Sequence, residues 1–324
     1  MRRRFPVGRW IMLRWRLVLG TGVIGLLVVL CWADHLSPLP GVVLLPLAVL
    51  ISVLATGEWF GLAKAAAGNF PPSAIPSAWP VYAGNLAMLA AAWGPVLGNA
   101  LAPGFSDAPG PAGPSYLPAA QTGVLLTLAA ALILAMLEEI RRFEGPGCIT
   151  VRLGMACLGL LYGGLLLSFL VLLRIGYGIA ALASMILVVK MADTGAYTVG
   201  RLMGRHKLAP RLSPGKTIEG TIGGLLWGLA AAWAAFTWLT PALDAYQATS
   251  QAGGCPWWGW TSYGLVLGLG GLGGDLAESL LKRDAGRKDS SRWMPGLGGI
   301  LDLLDSLLWT APVAYLWWHL GWVG

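Results

Sequence analysis

Long apolar runs separated by short polar stretches dominate this chain. The runs fall near residues 17–33, 41–56, 80–98, 121–138, 153–173, 177–190, 220–239, 261–276 and 300–319. Most approach the roughly 20 residues that an α-helix needs to cross a bilayer. Lipid offers no partner to backbone N–H and C=O groups, so such runs must satisfy their hydrogen bonds internally. The pattern predicts an all-α, polytopic integral membrane protein with about nine transmembrane helices.

Composition agrees. Of the 324 residues 56% are hydrophobic and only 11% are charged, which excludes an ordinary soluble domain. The net charge of +7 does not point to nucleic acid, because nearly all the bases lie between apolar runs. With the N-terminus in the cytoplasm, the inner segments are 1–16, 57–79, 138–152, 190–219 and 277–299. These hold 21 of the 22 Lys and Arg residues, Arg174 being the exception. The positive-inside rule therefore supports that orientation in a cell inner membrane. A signal-peptide reading of residues 1–33 rests on a weak site at Cys31-Trp32-Ala33; an uncleaved first helix is expected instead. Cys31, Cys148, Cys157 and Cys255 show no metal or disulfide spacing. Tryptophans at 257, 258, 260, 317, 318 and 322 read as an interfacial belt. The chain divides into N-terminal helices over 1–176 and a catalytic membrane region over 177–324, with cytoplasmic loops 190–219 and 277–299.

The stretch 274–306 breaks the apolar pattern, with six acids and five bases between two spans. A charge at the centre of a spanning helix costs about 2.5–3.5 kcal/mol, so such residues are functional candidates. Asp275, Glu278, Ser279 and Lys282 share one helical face by their i, i+3, i+4, i+7 spacing. Asp302, Asp305 and Ser306 do the same on the next helix. Oxygen-only acid sites of this kind suit magnesium, which keeps waters and substrate phosphates as its other ligands. The competing reading is a set of interhelical salt bridges to Lys282 or Arg283.

A second motif, DTGAYTVGRLMGRHKLAPRLSPGKTIEGTIGG, covers 193–224 and contains Arg201, Arg205, Lys207, Arg211 and Lys216, with Lys190 just before it. Its bases suit a polyphosphate. Ser213-Pro214-Gly215-Lys216-Thr217 can set a lysine and two hydroxyls at a helix start, where backbone N–H groups add to anion binding. Glu219, in the first turn, is placed to cap or orient the loop. Gly215-Lys216-Thr217 is not a P-loop, since the earlier glycine position is Pro210. The GxGxxG match at Gly268 to Gly273 lies inside a span and reads as close helix packing.

Ser279 to Arg283, Lys288-Asp289, Pro295, Gly298-Gly299, Asp302 and Asp305 together resemble the signature of the phosphatidate cytidylyltransferase (CDP-diacylglycerol synthase) family. Gly274-Asp275, Glu278 and the DTGAY and SPGKT segments are similar to that family's other hallmarks. The resemblance is specific over roughly 190–310. It implies transfer of a cytidylyl group from CTP to phosphatidate with release of pyrophosphate, dependent on Mg²⁺. It further implies Asp275, Asp302 and Asp305 as metal ligands, with Asp289 as a further or orienting acid. Lys282, Arg283 and Lys288 would hold phosphates, and Ser213, Lys216 and Thr217 would contact CTP. Asp193 would take nucleotide or a second cation, and Tyr197, Glu219, Glu278 and Ser279 complete the expected substrate site. The chain departs from the signature at Leu297 and Leu303, which stand for His and Arg, and at Met294. The expected partners are CTP, phosphatidate and the bilayer, with a homodimer among the expected assemblies and no nucleic acid. Rival readings are cytidylyl or phosphoryl transfer to another membrane lipid, an ion-coupled transporter, and an inactive lipid-binding homologue.

Overall fold

A computed structural model describes residues 7–66, 68, 74–101, 116–145, 147–243, 255–291 and 298–323, with side chains from residue 20 onward. Much of the expected outer connectors 99–120 and 240–260 lies outside the described residues, as do residues 292–297 with Met294 and Leu297. Nearly all of the rest is helix. In chain order the helices are α1 (Val7–His35), α2 (Leu45–Ala66), α3 (Trp79–Leu101), α4 (Leu117–Arg141), α5 (Ile149–Leu160), α6 (Leu166–Met203), α7 (Ile218–Ala234), α8 (Thr240–Leu243), α9 (Trp257–Asp284) and α10 (Ile300–His319). A π-helical turn at Leu161–Leu165 joins α5 to α6, and another at Ala235–Leu239 joins α7 to α8.

Seven helical stretches among the described residues are long and apolar enough to cross a membrane. The sequence pattern predicts about nine, and the difference has two sources. α1 runs over Val7–His35 but is described with side chains only from Gly20, so its apolar run is not among the seven, and the runs at 153–173 and 177–190 belong to one continuous 55-residue element, Ile149–Met203. That element folds back on itself at Gly178, whose φ of 85° is open to glycine but strained for other residues. Before the turn, Tyr162 meets Trp309 and Phe169 meets Tyr315, so the chain runs parallel to α10. After it, Tyr177 meets His319 and Lys190 reaches Leu303 and Ser306, so the chain runs the opposite way.

α6 packs along α7, α9 and α10, and these four helices form the body of the C-terminal half. Small residues let their backbones approach. A Cβ on Gly224 would lie 2.8 Å from the Ala192 carbonyl oxygen, and one on Gly274 only 2.5 Å from that of Asp305. Without a hydrophobic drive between helices in lipid, such backbone contact is a main source of association. Gly268 likewise abuts Leu225 and Gly271 abuts Ser306, so the GxGxxG stretch is a packing seam. Trp318 departs from the belt reading: it is buried beside Tyr177 and Phe236, whereas Trp257, Trp258 and Trp322 stay exposed.

Two features break the helical rule. β1 (Lys207–Ala209) and β2 (Ser213–Thr217) pair antiparallel as a small hairpin between α6 and α7. SPGKT is therefore a strand that runs straight into a helix. At the other end of the molecule Arg174, the one base outside the expected inner segments, is buried against Asp34, with Nε 2.6 Å from Oδ2. Asp34 also accepts from the Gly41 and Val43 amides at 3.1 and 3.0 Å.

Removing one member of a buried ion pair leaves the other charge uncompensated. Asp34→Ala is expected to lower stability by about 3 kcal/mol, and adding Arg174→Met is expected to recover part of the loss. Thermal unfolding of the purified variants in detergent checks both, and an unchanged midpoint for Asp34→Ala contradicts the assignment.

Candidate active site

Five elements converge on a cavity of about 660 Å³, a size suited to a small-molecule ligand. The returning half of α6 presents Lys190, Asp193, Tyr197 and Arg201, spaced 3, 4 and 4 residues apart and so on one face. β2 and the start of α7 add Ser213, Lys216 and Thr217. α9 contributes Leu272, Asp275 and Lys282, and α10 contributes Asp302 and Asp305.

Local chemistry fixes each piece. Thr217 is the N-cap of α7, its Oγ1 accepting from the Gly220 amide at 3.1 Å, which satisfies one orphan donor of that helix. Glu219 reaches back to the Arg205 and His206 amides, both at 3.1 Å, and to His206 Nδ1 at 2.6 Å. It orients the hairpin, as the sequence suggests, and does not line the cavity. Arg283 donates from Nε to the Leu212 carbonyl at 3.2 Å and from Nη1 to that of Arg287 at 3.1 Å. It thus ties the hairpin to α9 and does not line the cavity.

The cavity charges come in pairs. Lys216 Nζ lies 2.7 Å from Asp275 Oδ2, Lys190 Nζ lies 3.2 Å from Asp193 Oδ2, and Lys282 Nζ lies 2.5 Å from Asp302 Oδ1. These pairs are not equivalent. Asp275 is 40% exposed, so its pair opens to the cavity. Lys282 and Asp302 are each 11% exposed, and Lys282 is also held by Glu278 at 2.6 Å. Asp302 Oδ2 accepts from Ser290 N and Oγ, both at 2.7 Å, and from Gly299 N at 2.9 Å. Asp305 is buried with Oδ1 on the Ser306 amide, and Ser306 Oγ bridges Lys190 and Asp193 at 3.0 and 3.1 Å.

The structure thus brings Asp193, Tyr197, Ser213, Lys216, Thr217, Asp275, Lys282, Asp302 and Asp305 around one space. Glu278 lies buried behind Lys282, and Ser279 is buried away from the cavity lining. Lys288 and Asp289 are exposed and do not line the cavity. Among the described residues no group of three or more His, Cys, Asp or Glu side chains gathers closely enough to hold a metal ion by itself. The expected trio Asp275, Asp302 and Asp305 is therefore not a preformed cage, because Asp302 is committed to Lys282, Ser290 and Gly299. Asp275 and Asp305 keep their place on the cavity wall, and one or two carboxylates are what magnesium needs when substrate phosphates complete its shell.

Two features escape a reading of the sequence. Lys190, counted there only as a loop base, enters the cavity and sets its ammonium 3.3 Å from the Leu303 carbonyl oxygen. Residue 303, which lacks the signature's Arg, therefore still has a cation beside it. Glu58 of α2 binds the chain on both sides of residues 292–297, through Ser290, Ser291, Ile300 and Leu301. A buried Glu between Trp59 and a glycine offers no sequence signal of a partner more than 230 residues away.

The two lysine pairs predict different responses. Lys282→Met leaves Glu278 and Asp302 facing each other without a cation and is expected to cost about 3 kcal/mol. Lys216→Met removes an open pair and is expected to change stability by less than about 1 kcal/mol. Thermal unfolding of the two variants side by side checks the contrast, and equal losses contradict it.

Comparison with known proteins agrees with this geometry. The model of the cytidylyltransferase family matches residues 112–320. YnbB of Escherichia coli K12, an uncharacterized protein, is 41% identical over 123 residues, which are 38% of this chain and 37% of that one. The phosphatidate cytidylyltransferase of Staphylococcus haemolyticus is 43% identical over 127 residues, covering 39% of this chain and 44% of its own length. That of a Synechocystis species is 36% identical over 207 residues, covering 53% and 64%. The chain thus spans less than two thirds of each of these relatives. The family match extends over more than half of the chain and contains every cavity residue, so this chain belongs to the cytidylyltransferase family.

Proposed function

We propose that this protein is a phosphatidate cytidylyltransferase, converting CTP and phosphatidate into CDP-diacylglycerol and pyrophosphate. The observation that carries the reading is that the open Lys216–Asp275 pair and the buried Lys282–Asp302 pair line one cavity. A wall of paired charges can change partners when a polyphosphate enters with its cation. Lys216 is placed to turn to phosphate oxygens, and Asp275 would then be free to help hold a cation.

In this reading the phosphatidate phosphate oxygen attacks the α-phosphorus of CTP. The bond from that phosphorus to the β-bridging oxygen breaks, and pyrophosphate carries away the electron pair. No side-chain nucleophile and no general base are needed, because the attacking oxygen is already anionic. The work of the chain is to bring two anions together and to stabilise charge on the leaving group. Lys216, Ser213 and the β2 backbone hold the triphosphate. Lys282, aimed by Glu278 and Asp302, faces the reacting phosphates, and Lys190 adds a cation beside residue 303. Asp275 and Asp305 are the residues that would hold Mg²⁺, whose chemistry is neutralisation of phosphate charge. The donor set fits that ion, with Asp193 as a neighbour.

The protein is multi-pass, and we place the cavity at the cytoplasmic face of the cell inner membrane. The positive-inside distribution supports this. So does the contrast between the cation-rich cavity end and the far end, where Arg174 is neutralised by Asp34.

Purified protein supplied with radiolabelled CTP, phosphatidate and Mg²⁺ is expected to yield CDP-diacylglycerol and pyrophosphate. Asp275→Asn is expected to lower that turnover on the order of 100-fold, the scale of losing one transition-state contact. Release of CDP in place of pyrophosphate would identify a lipid kinase, and no turnover with any phospholipid acceptor would overturn the proposal.

A further inference from the structure

α10 starts at Gly299, an N-cap with no side chain to satisfy the first amides of the helix. Those amides are satisfied from elsewhere in the fold. Glu58 Oε1 accepts from the Ile300 amide and Oε2 from the Leu301 amide, both at 2.9 Å. The same two oxygens accept from Ser291 Oγ at 2.8 Å and Ser290 Oγ at 2.9 Å. One buried carboxylate on α2 thus caps α10 and fixes the chain on both sides of residues 292–297. A negative group is favoured there by the helix dipole as well.

The contact leads on to the cavity. Ser290 Oγ lies between Glu58 Oε2 and Asp302 Oδ2, at 2.9 and 2.7 Å, its single proton shared between the two carboxylates. Asp302 in turn holds Lys282, which faces the cavity. Gly299 is required by this crowding, since a Cβ there would fall 2.1 Å from Ser290 Oγ and 2.3 Å from Glu58 Oε2. Glu58 itself does not line the cavity, and it lies in the part of the chain before the family match begins.

We propose that Glu58 is a positioning residue: through Ser290 and the α10 N-terminus it sets Asp302, and through Asp302 it aims Lys282 at the reacting phosphates. The N-terminal helices then contribute to the chemistry, beyond anchoring the chain in the bilayer. The inference rests on the proposed transfer reaction for its kinetic consequence and on geometry alone for its structural one.

The test compares wild type with Glu58→Gln and Glu58→Asp in detergent. Gln keeps the size but turns a donor amide toward donor groups. It is expected to lower kcat on the order of 100-fold, as misplacement by about 1 Å can. KM for CTP is expected to stay within about two-fold, because the Lys216 strand is untouched. Glu58→Asp is expected to fall between the two. Independently of turnover, Lys282 is expected to react faster with an amine-labelling reagent in Glu58→Gln, and the Ile300 and Leu301 amides to exchange hydrogen faster. Unchanged labelling and exchange overturn the inference, as does a loss of activity explained wholly by a smaller folded fraction. If Glu58→Gln does not fold, the same readouts on Glu58→Asp and Ser291→Ala decide. If wild type transfers no cytidylyl group, the proposed reaction fails while labelling and exchange still decide whether Glu58 aims Lys282.

Discussion

Lys282 is the residue on which the C-terminal half depends. Its ammonium lies between Glu278 on its own helix and Asp302 on the next, and all three side chains are largely buried. Desolvating three charges is costly, and a buried ion pair rarely repays the cost against an apolar substitute. Glu278 shows this directly, since its Oε1 has no hydrogen-bond partner among the described residues. What the arrangement provides is direction. A flexible lysine is held by two carboxylates with its ammonium facing the cavity, which on the proposed reaction leaves little ordering for phosphate binding.

The surrounding helices make that arrangement possible. Lipid supplies no partner for polar groups, so charges survive inside the membrane region only where helices close around them. Gly274 lets the α9 backbone reach that of α10 beside Asp305, and Gly224 does the same between α7 and α6 beside Ala192. Glycine seams and buried charges are thus parts of one solution: close backbones exclude lipid and leave room for a polar cavity at one end. Lys216 and Asp275 lie at its more open side, Asp275 being 40% exposed.

Much of this was legible in the residues themselves. Apolar length predicts membrane helices because the bilayer admits few alternatives, and helical spacing places Asp275 near Lys282 and Asp302 near Asp305. The DTGAY and SPGKT stretches point correctly to one cavity. Other features depend on contacts that no local pattern encodes. Gly178 is one glycine among 46, and only its φ of 85° marks it as the point where α6 turns back. β1 and β2 have three and five residues, too few for a strand period to show. Arg283 reads in the sequence as a loop base, and only the fold shows that its Nε–H goes to the Leu212 carbonyl. Glu58 is a lone acid in an apolar helix, and its meaning appears only when α10 is placed against it.

A structure of the protein with CTP and Mg²⁺ bound tests the account at its centre. It is expected to show the triphosphate between Lys216 and Lys282, with Asp275 withdrawn from Lys216 to a cation shared with Asp305. Nucleotide bound elsewhere, or in this cavity with the Lys216–Asp275 pair intact and no cation beside Asp275, would contradict it.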